Sequence, residues 1–153
     1  MKLVNHIQLN IIEETSIIEG IIKYKQTLCE IMFDHKPSNI LIRGKILESA
    51  VSVDENRYVI FTTDDVLFEE SLNIYLIELG KGVVDQLFIG QAYQTDIFSG
   101  LKIADESSLS FSFLGSWTLE VYAKAKFGIG INSGMLCLYN LRLRHYLKLN
   151  CVE

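Results

Sequence analysis

Proline is nearly missing from this chain of 153 residues, and Pro37 is the only one. Together with a hydrophobic share of 49%, that excludes a disordered segment or a proline-rich spacer. Cysteine is scarce too. Cys29, Cys137 and Cys151 are odd in number, far apart and form no CxxC pair, so neither a disulfide framework nor a zinc ribbon follows, and reduced thiols in a cytosol are expected. His6, His35 and His145 stand in separate segments without HxH or HxxxH spacing. A metal centre needs three or four convergent ligands, so no metal and no cofactor is expected. The longest charge-free stretch, Phe127 to Leu141, is broken by Gly128, Gly130, Asn132, Ser133 and Gly134. A membrane span needs ~20 apolar residues. MKLVNHIQLN lacks the apolar run of a secretion signal. A soluble cytoplasmic protein without membrane contact is expected. Gly128, Gly130 and Gly134 lack GxGxxG spacing and a following Lys-Ser/Thr, which disfavours phosphate binding. With no visible nucleophile–base pair, enzymatic activity is not expected.

Acid is present in surplus. The net charge is −5, but residues 1–120 hold eighteen Asp and Glu against nine Lys and Arg. Residues 121–153 set only Glu153 against Lys124, Lys126, Arg142, Arg144 and Lys148. An acidic majority disfavours direct binding of nucleic acid, whose phosphates demand a positive face. It suits a basic protein partner, because complementary charge speeds encounter and selects partners. The densest acidic run, Asp64, Asp65, Glu69 and Glu70, lacks the ligand spacing of a calcium loop. With Asp54 and Glu55 it forms the candidate interface for such a partner.

Alternation with a period of two is the other abundant signal. Leu109, Phe111, Phe113, Trp117, Leu119 and Val121 are apolar and odd-numbered, with serines between the first three, which places the set on one buried strand face. A three-residue loop at 114–116 would oppose Phe113 to Trp117 and Phe111 to Leu119. Across the polar triplet Asp105-Glu106-Ser107, Ile103 would oppose Leu109 and Leu101 would oppose Phe111, giving a three-strand meander.

The rest of the chain is read in the same way. Val4 to Ile12 and Ile17 to Tyr24 are isoleucine-rich strands, separated by a polar break at Glu13–Ser16. Thr27 to Phe33 fits a strand or a short helix, and Asp34 to Asn39, around Pro37, is a loop. Gly44 marks a bulge or bend. Asp54-Glu55-Asn56 turns into a strand from Arg57 to Thr63. Asp64–Ser71 is a loop or one helical turn, Leu72–Glu78 and Val83–Ile89 are strands, and Met135–Leu149 is a last one. The expectation is a mainly β, single-domain antiparallel sheet over 1–153. It has about ten strands, strongly curved or closed into a barrel, with at most short helices.

One quarter of the chain carries a resemblance. Asp85, Leu87, Ile89 and Gly90, then Tyr93, Thr95 and Phe98, then Leu109, Phe111, Phe113, Gly115, Trp117 and Leu119 follow a pattern similar to immunity proteins of bacterial contact-dependent growth-inhibition systems. The resemblance implies a cytosolic antitoxin, not an enzyme, that binds and blocks the C-terminal toxin domain of a delivered protein, often an RNase or DNase. The alternative is a β-barrel carrier of a small apolar ligand, with Phe111, Phe113 and Trp117 lining its cavity.

Overall fold

The segment Leu72-Asn-Ile-Tyr-Leu-Ile-Glu78 has no face to offer water. Leu72, Ile74 and Leu76 point one way, Asn73, Tyr75 and Ile77 the other, and all six are buried. A strand buried on both sides needs cover on both sides, and the architecture follows from that. A computed structural model describes residues 1–19, 22–66, 70–91, 93–127 and 144–152, with side chains outside 15–25. Among them are twelve strands: β1 (Lys2–Leu3), β2 (Ile7–Glu19), β3 (Ile22–Phe33), β4 (Lys36–Arg43), β5 (Ile46–Ser52), β6 (Arg57–Thr63), β7 (Leu72–Glu78), β8 (Gly82–Ile89), β9 (Ser99–Ile103), β10 (Ser108–Ser112), β11 (Ser116–Phe127) and β12 (Arg144–Cys151).

They form three antiparallel sheets, ordered β1-β5-β6-β7-β8, β12-β11-β10-β9 and β2-β3-β4. The five-stranded sheet lies between the other two. On one of its faces Val59, Phe61, Ile74 and Leu76 pack with Leu109, Phe111, Phe113, Trp117, Leu119 and Leu147 of the four-stranded sheet. On the other, Ile60, Tyr75 and Ile77 pack with Ile7, Ile31, Ile40 and Ile42 of the three-stranded sheet. Each fully buried side chain of this size contributes roughly 1.5–3 kcal/mol. The expected barrel is therefore corrected. Among the described residues no sheet closes on itself, because apolar residues on both faces of β6 and β7 demand stacked layers. Among the described residues every ladder joins strands consecutive in this numbering except β1–β5, where Lys2 and Leu3 pair with Ser52 and Val51.

Local expectations are corrected at several points. The polar break at Glu13–Ser16 lies inside β2, which absorbs it with a register shift between Ile11 and Glu13 and runs on to Glu19. Thr27 to Phe33 is strand. The loop around Pro37 shrinks to Asp34 and His35, both at positive φ. Pro37 itself sits in β4, an edge strand where a missing N–H does no harm. Gly44 is a corner at φ +120 between the three-stranded and five-stranded sheets, and a Cβ there would overlap Thr62.

The central meander forms with every apolar residue on the expected face, and Ile103 opposes Leu109. The ladder then slips between Ser110 and Ser112, beside Gly100 at φ +65. Its second loop is one residue earlier than expected: Phe111 opposes Trp117 and Leu109 opposes Leu119. Leu114 takes φ 50, and the Trp117 indole N–H donates to the Phe113 carbonyl at 2.8 Å. That bond holds Phe113 in the loop while its ring stays in the core. The glycine segment 128–134 and the part of the last strand before Arg144 lie outside the described residues.

Candidate functional site at the acidic end

β6 ends at Thr63, and the chain leaves the central sheet through Asp64, Asp65 and Val66 before returning at Glu70. This loop is held by its own carboxylates. Glu70 accepts from the backbone N–H groups of Asp64, Val66 and Ser71 at 2.8, 3.2 and 3.2 Å. Asp64 accepts from the Ser71 hydroxyl at 2.7 Å and, over a longer 3.4 Å, from the Asn73 amide. Sequence-distant acids arrive beside it. Glu48 on β5 accepts from the Thr63 hydroxyl at 2.6 Å. Glu14 on β2 and Asp65 both face the Lys45 ammonium, at 4.0 and 3.0 Å. The Asp65 hydrogen bond and charge raise the Lys45 pKa above the usual lysine range. The ion pair is exposed, so its cation is readily exchanged.

The six sequence-predicted interface residues do not form one patch. Asp64, Asp65 and Glu70 share this end, and Glu69 lies outside the described residues. Asp54 and Glu55 sit in the β5–β6 turn at the opposite end of β6, which at ~3.3 Å per residue is ~20 Å away. There Asp54 is engaged in the fold. It accepts from the backbone of Asn56 and Arg57 at 3.0 and 2.9 Å and pairs with the Arg57 guanidinium at 2.6 Å. Burial alone would raise its pKa, but those donors hold it below the ordinary carboxylate range. Sequence reasoning missed Glu14 and Glu48, because their approach depends on strand pairing across the fold. Glu13-Glu14 was legible only as a break.

The histidines stay apart. His6 packs against Phe33 and Tyr58, His35 is exposed in the β3–β4 turn, and His145 meets the edge of Tyr122. Among the described residues no three His, Cys, Asp or Glu converge on a point that could hold a metal. Cys29 is buried and its thiol donates to the Gly44 carbonyl at 2.9 Å. Burial pushes its pKa up, with Glu14 and Asp64 adding to the effect, so it is a poor nucleophile. Phe111, Phe113 and Trp117, which a carrier would turn towards a lumen, fill the core. No helix of the described residues is long and apolar enough to cross a membrane. What this end offers chemically is a fixed anionic surface.

A cleft of about 770 Å³ opens next to the loop, where β4 and β8, the facing edges of two layers, part. Leu28, Leu41 and Arg43 line it from the outer sheet, and Asn73 and Tyr75 of β7 with Gln86 and Phe88 of β8 line it from the central one. The Tyr75 hydroxyl bonds the Arg43 backbone, donating to the carbonyl and accepting from the N–H at 3.1 Å each. Set against known protein families, characterised proteins and solved structures, the chain matches none of them.

Proposed function

We propose that the chain is a cytoplasmic immunity protein that binds and neutralises the C-terminal toxin domain, a nuclease, of a contact-dependent growth-inhibition effector. It works by covering its partner and catalyses nothing. The observation that carries this reading is the gathering of Glu14, Glu48, Asp64, Asp65 and Glu70 at one end, where Glu14 and Asp65 face Lys45 and the other three bond to the end of β6 and the loop after it. Three of these acids have their carboxylates fixed by hydrogen bonds. A rigid anionic surface loses little side-chain freedom on meeting a cationic one. Nuclease domains must themselves attract phosphate and so present basic surfaces. The pattern from Asp85 to Leu119, similar to immunity proteins of these systems, supports the same conclusion.

The test is titration calorimetry against the purified cognate toxin domain. Glu14→Lys with Asp65→Lys, both at exposed positions, is expected to weaken binding at least tenfold and to flatten its salt dependence. Glu55→Lys, a like charge change at the far end of β6, is expected to do much less. Equal affinity of wild type and double variant at low salt would refute the reading.

A further inference from the structure

We infer that the cleft between β4 and β8 is an anchor pocket for one apolar side chain of a basic protein partner, whose flanking Lys or Arg meets the acidic loop. This rests on the reading above and deepens it.

Three observations place the pocket there. Leu28, Leu41 and Phe88 give it an apolar lining beside the polar Arg43, Asn73 and Gln86, and Leu41 is 49% exposed among the exposed Lys36, Asn39 and Arg43 of the same edge strand. The Phe88 ring folds over Gly90, where any side chain would collide with it, so the glycine keeps the ring against the cleft. The polar groups in the lining suit a peptide rather than a hydrocarbon. Asn73 and Gln86 supply side-chain amides, and among the described residues nothing hydrogen-bonds the Gln86 amide. Amides of this kind match the N–H and C=O of an extended backbone.

Arg43 also lines the cleft, but the adjoining loop sets Asp64, Asp65 and Glu70 against it, which favours a cationic occupant. Asn73 in the lining donates to Asp64 in the loop, so the pocket and the anionic surface are contiguous. A segment with an apolar residue beside cations satisfies both at once. Interfaces concentrate their energy in such buried anchors, ringed by charge that steers encounter.

Titration of the full ¹⁵N-labelled chain with two blocked peptides, Lys-Lys-Phe-Lys-Lys and Lys-Lys-Ser-Lys-Lys, tests this. The expected result is saturable shifts at Leu41, Asn73, Gln86 and Phe88 with the Phe peptide, at least fivefold tighter than with the Ser peptide. Leu41→Ser, an exposed change that leaves the fold intact, is expected to abolish that preference. Shifts confined to Asp64, Asp65 and Glu14, equal for both peptides, would overturn the pocket and leave the acidic interface standing. No shifts with either peptide would overturn both. A lipid found in the cleft by native mass spectrometry, and not displaced by the Phe peptide, would assign it to a small ligand and overturn the inference.

Discussion

The carboxylate of Asp85 on β8 accepts hydrogen bonds from the backbone N–H groups of Tyr146 and Leu147 on β12, at 2.6 and 2.9 Å. Asp85 is only 5% exposed. It joins the edge of the central sheet to the edge of the four-stranded one, where no backbone ladder forms. Asp85→Ala would strand two donors and is expected to cost about 3 kcal/mol. Urea denaturation measures it, and the Tyr146 and Leu147 amides should lose hydrogen-exchange protection first. Asp85→Asn retains an acceptor oxygen and should cost less.

Gly44 turns the chain from the outer layer into the central one at a φ that side chains rarely adopt. Thr62 closes the same corner by donating its hydroxyl to the Arg43 carbonyl at 2.9 Å. Gly44→Ala adds backbone strain and a collision with Thr62. It is expected to destabilise by about 3 kcal/mol, against about 1 kcal/mol for Gly80→Ala, which shares the positive-φ strain (φ +80) but whose Cβ would meet open space. The two melting curves, compared directly, check the difference.

Asp105 caps the turn between β9 and β10. The Ser108 hydroxyl, then the Ser107 backbone N–H and hydroxyl, donate to it and lower its pKa to about 2. A carboxylate with a depressed folded pKa stabilises above its unfolded value, near 4, and that contribution is lost as pH falls towards 2. Ser108→Ala should raise the Asp105 pKa towards the ordinary range and reduce stability at neutral pH. Carbon-detected NMR titration of the carboxyl reads the first effect and denaturant unfolding at pH 7 the second.

Burial pushes the Tyr75 hydroxyl up to about 12, against the opposing effect of its hydrogen bond to the Arg43 backbone. The folded state therefore holds this proton more tightly than the unfolded chain, whose tyrosine titrates near 10. The associated stability is intact below pH 10 and falls as pH rises towards 12. Ultraviolet titration should show a late-ionising tyrosine that disappears in Tyr75→Phe. A normal titration of all the tyrosines would contradict the burial.

Much of the strand pattern was legible because period-two alternation reports directly which side chains share a face. Leu109, Phe111, Phe113, Trp117, Leu119 and Val121 needed nothing else, and the turn at Asp54–Asn56 announced itself by composition. Alternation does not say which sheet covers a face. The same pattern serves a barrel and a stack of layers, and only the double burial of β7 separates them. Glu13 to Ser16 misled because β2 and β3 outrun β4 there. The backbone ladder with β3 runs on through this segment regardless of composition, from Glu13 with Leu28 to Glu19 with Ile22, beyond the reach of the ladder with β4, which ends at Leu28 with Arg43. The candidate interface was half legible for a similar reason. Acid density along the chain found Asp64, Asp65 and Glu70, but it also grouped Asp54 and Glu55 with them and could not see Glu14.

Among the described residues all but one of the ladders link strands consecutive in this numbering, so the three-stranded sheet and β5 to β8 can each form from a contiguous stretch through short loop closures, at small entropic cost. The exception is the brief pairing of Lys2 and Leu3 with Val51 and Ser52, which must wait until the first outer meander has been laid down and the central one begun. Lys2 and Leu3 therefore cannot be fastened until Val51 and Ser52, forty-odd residues further along, are in place.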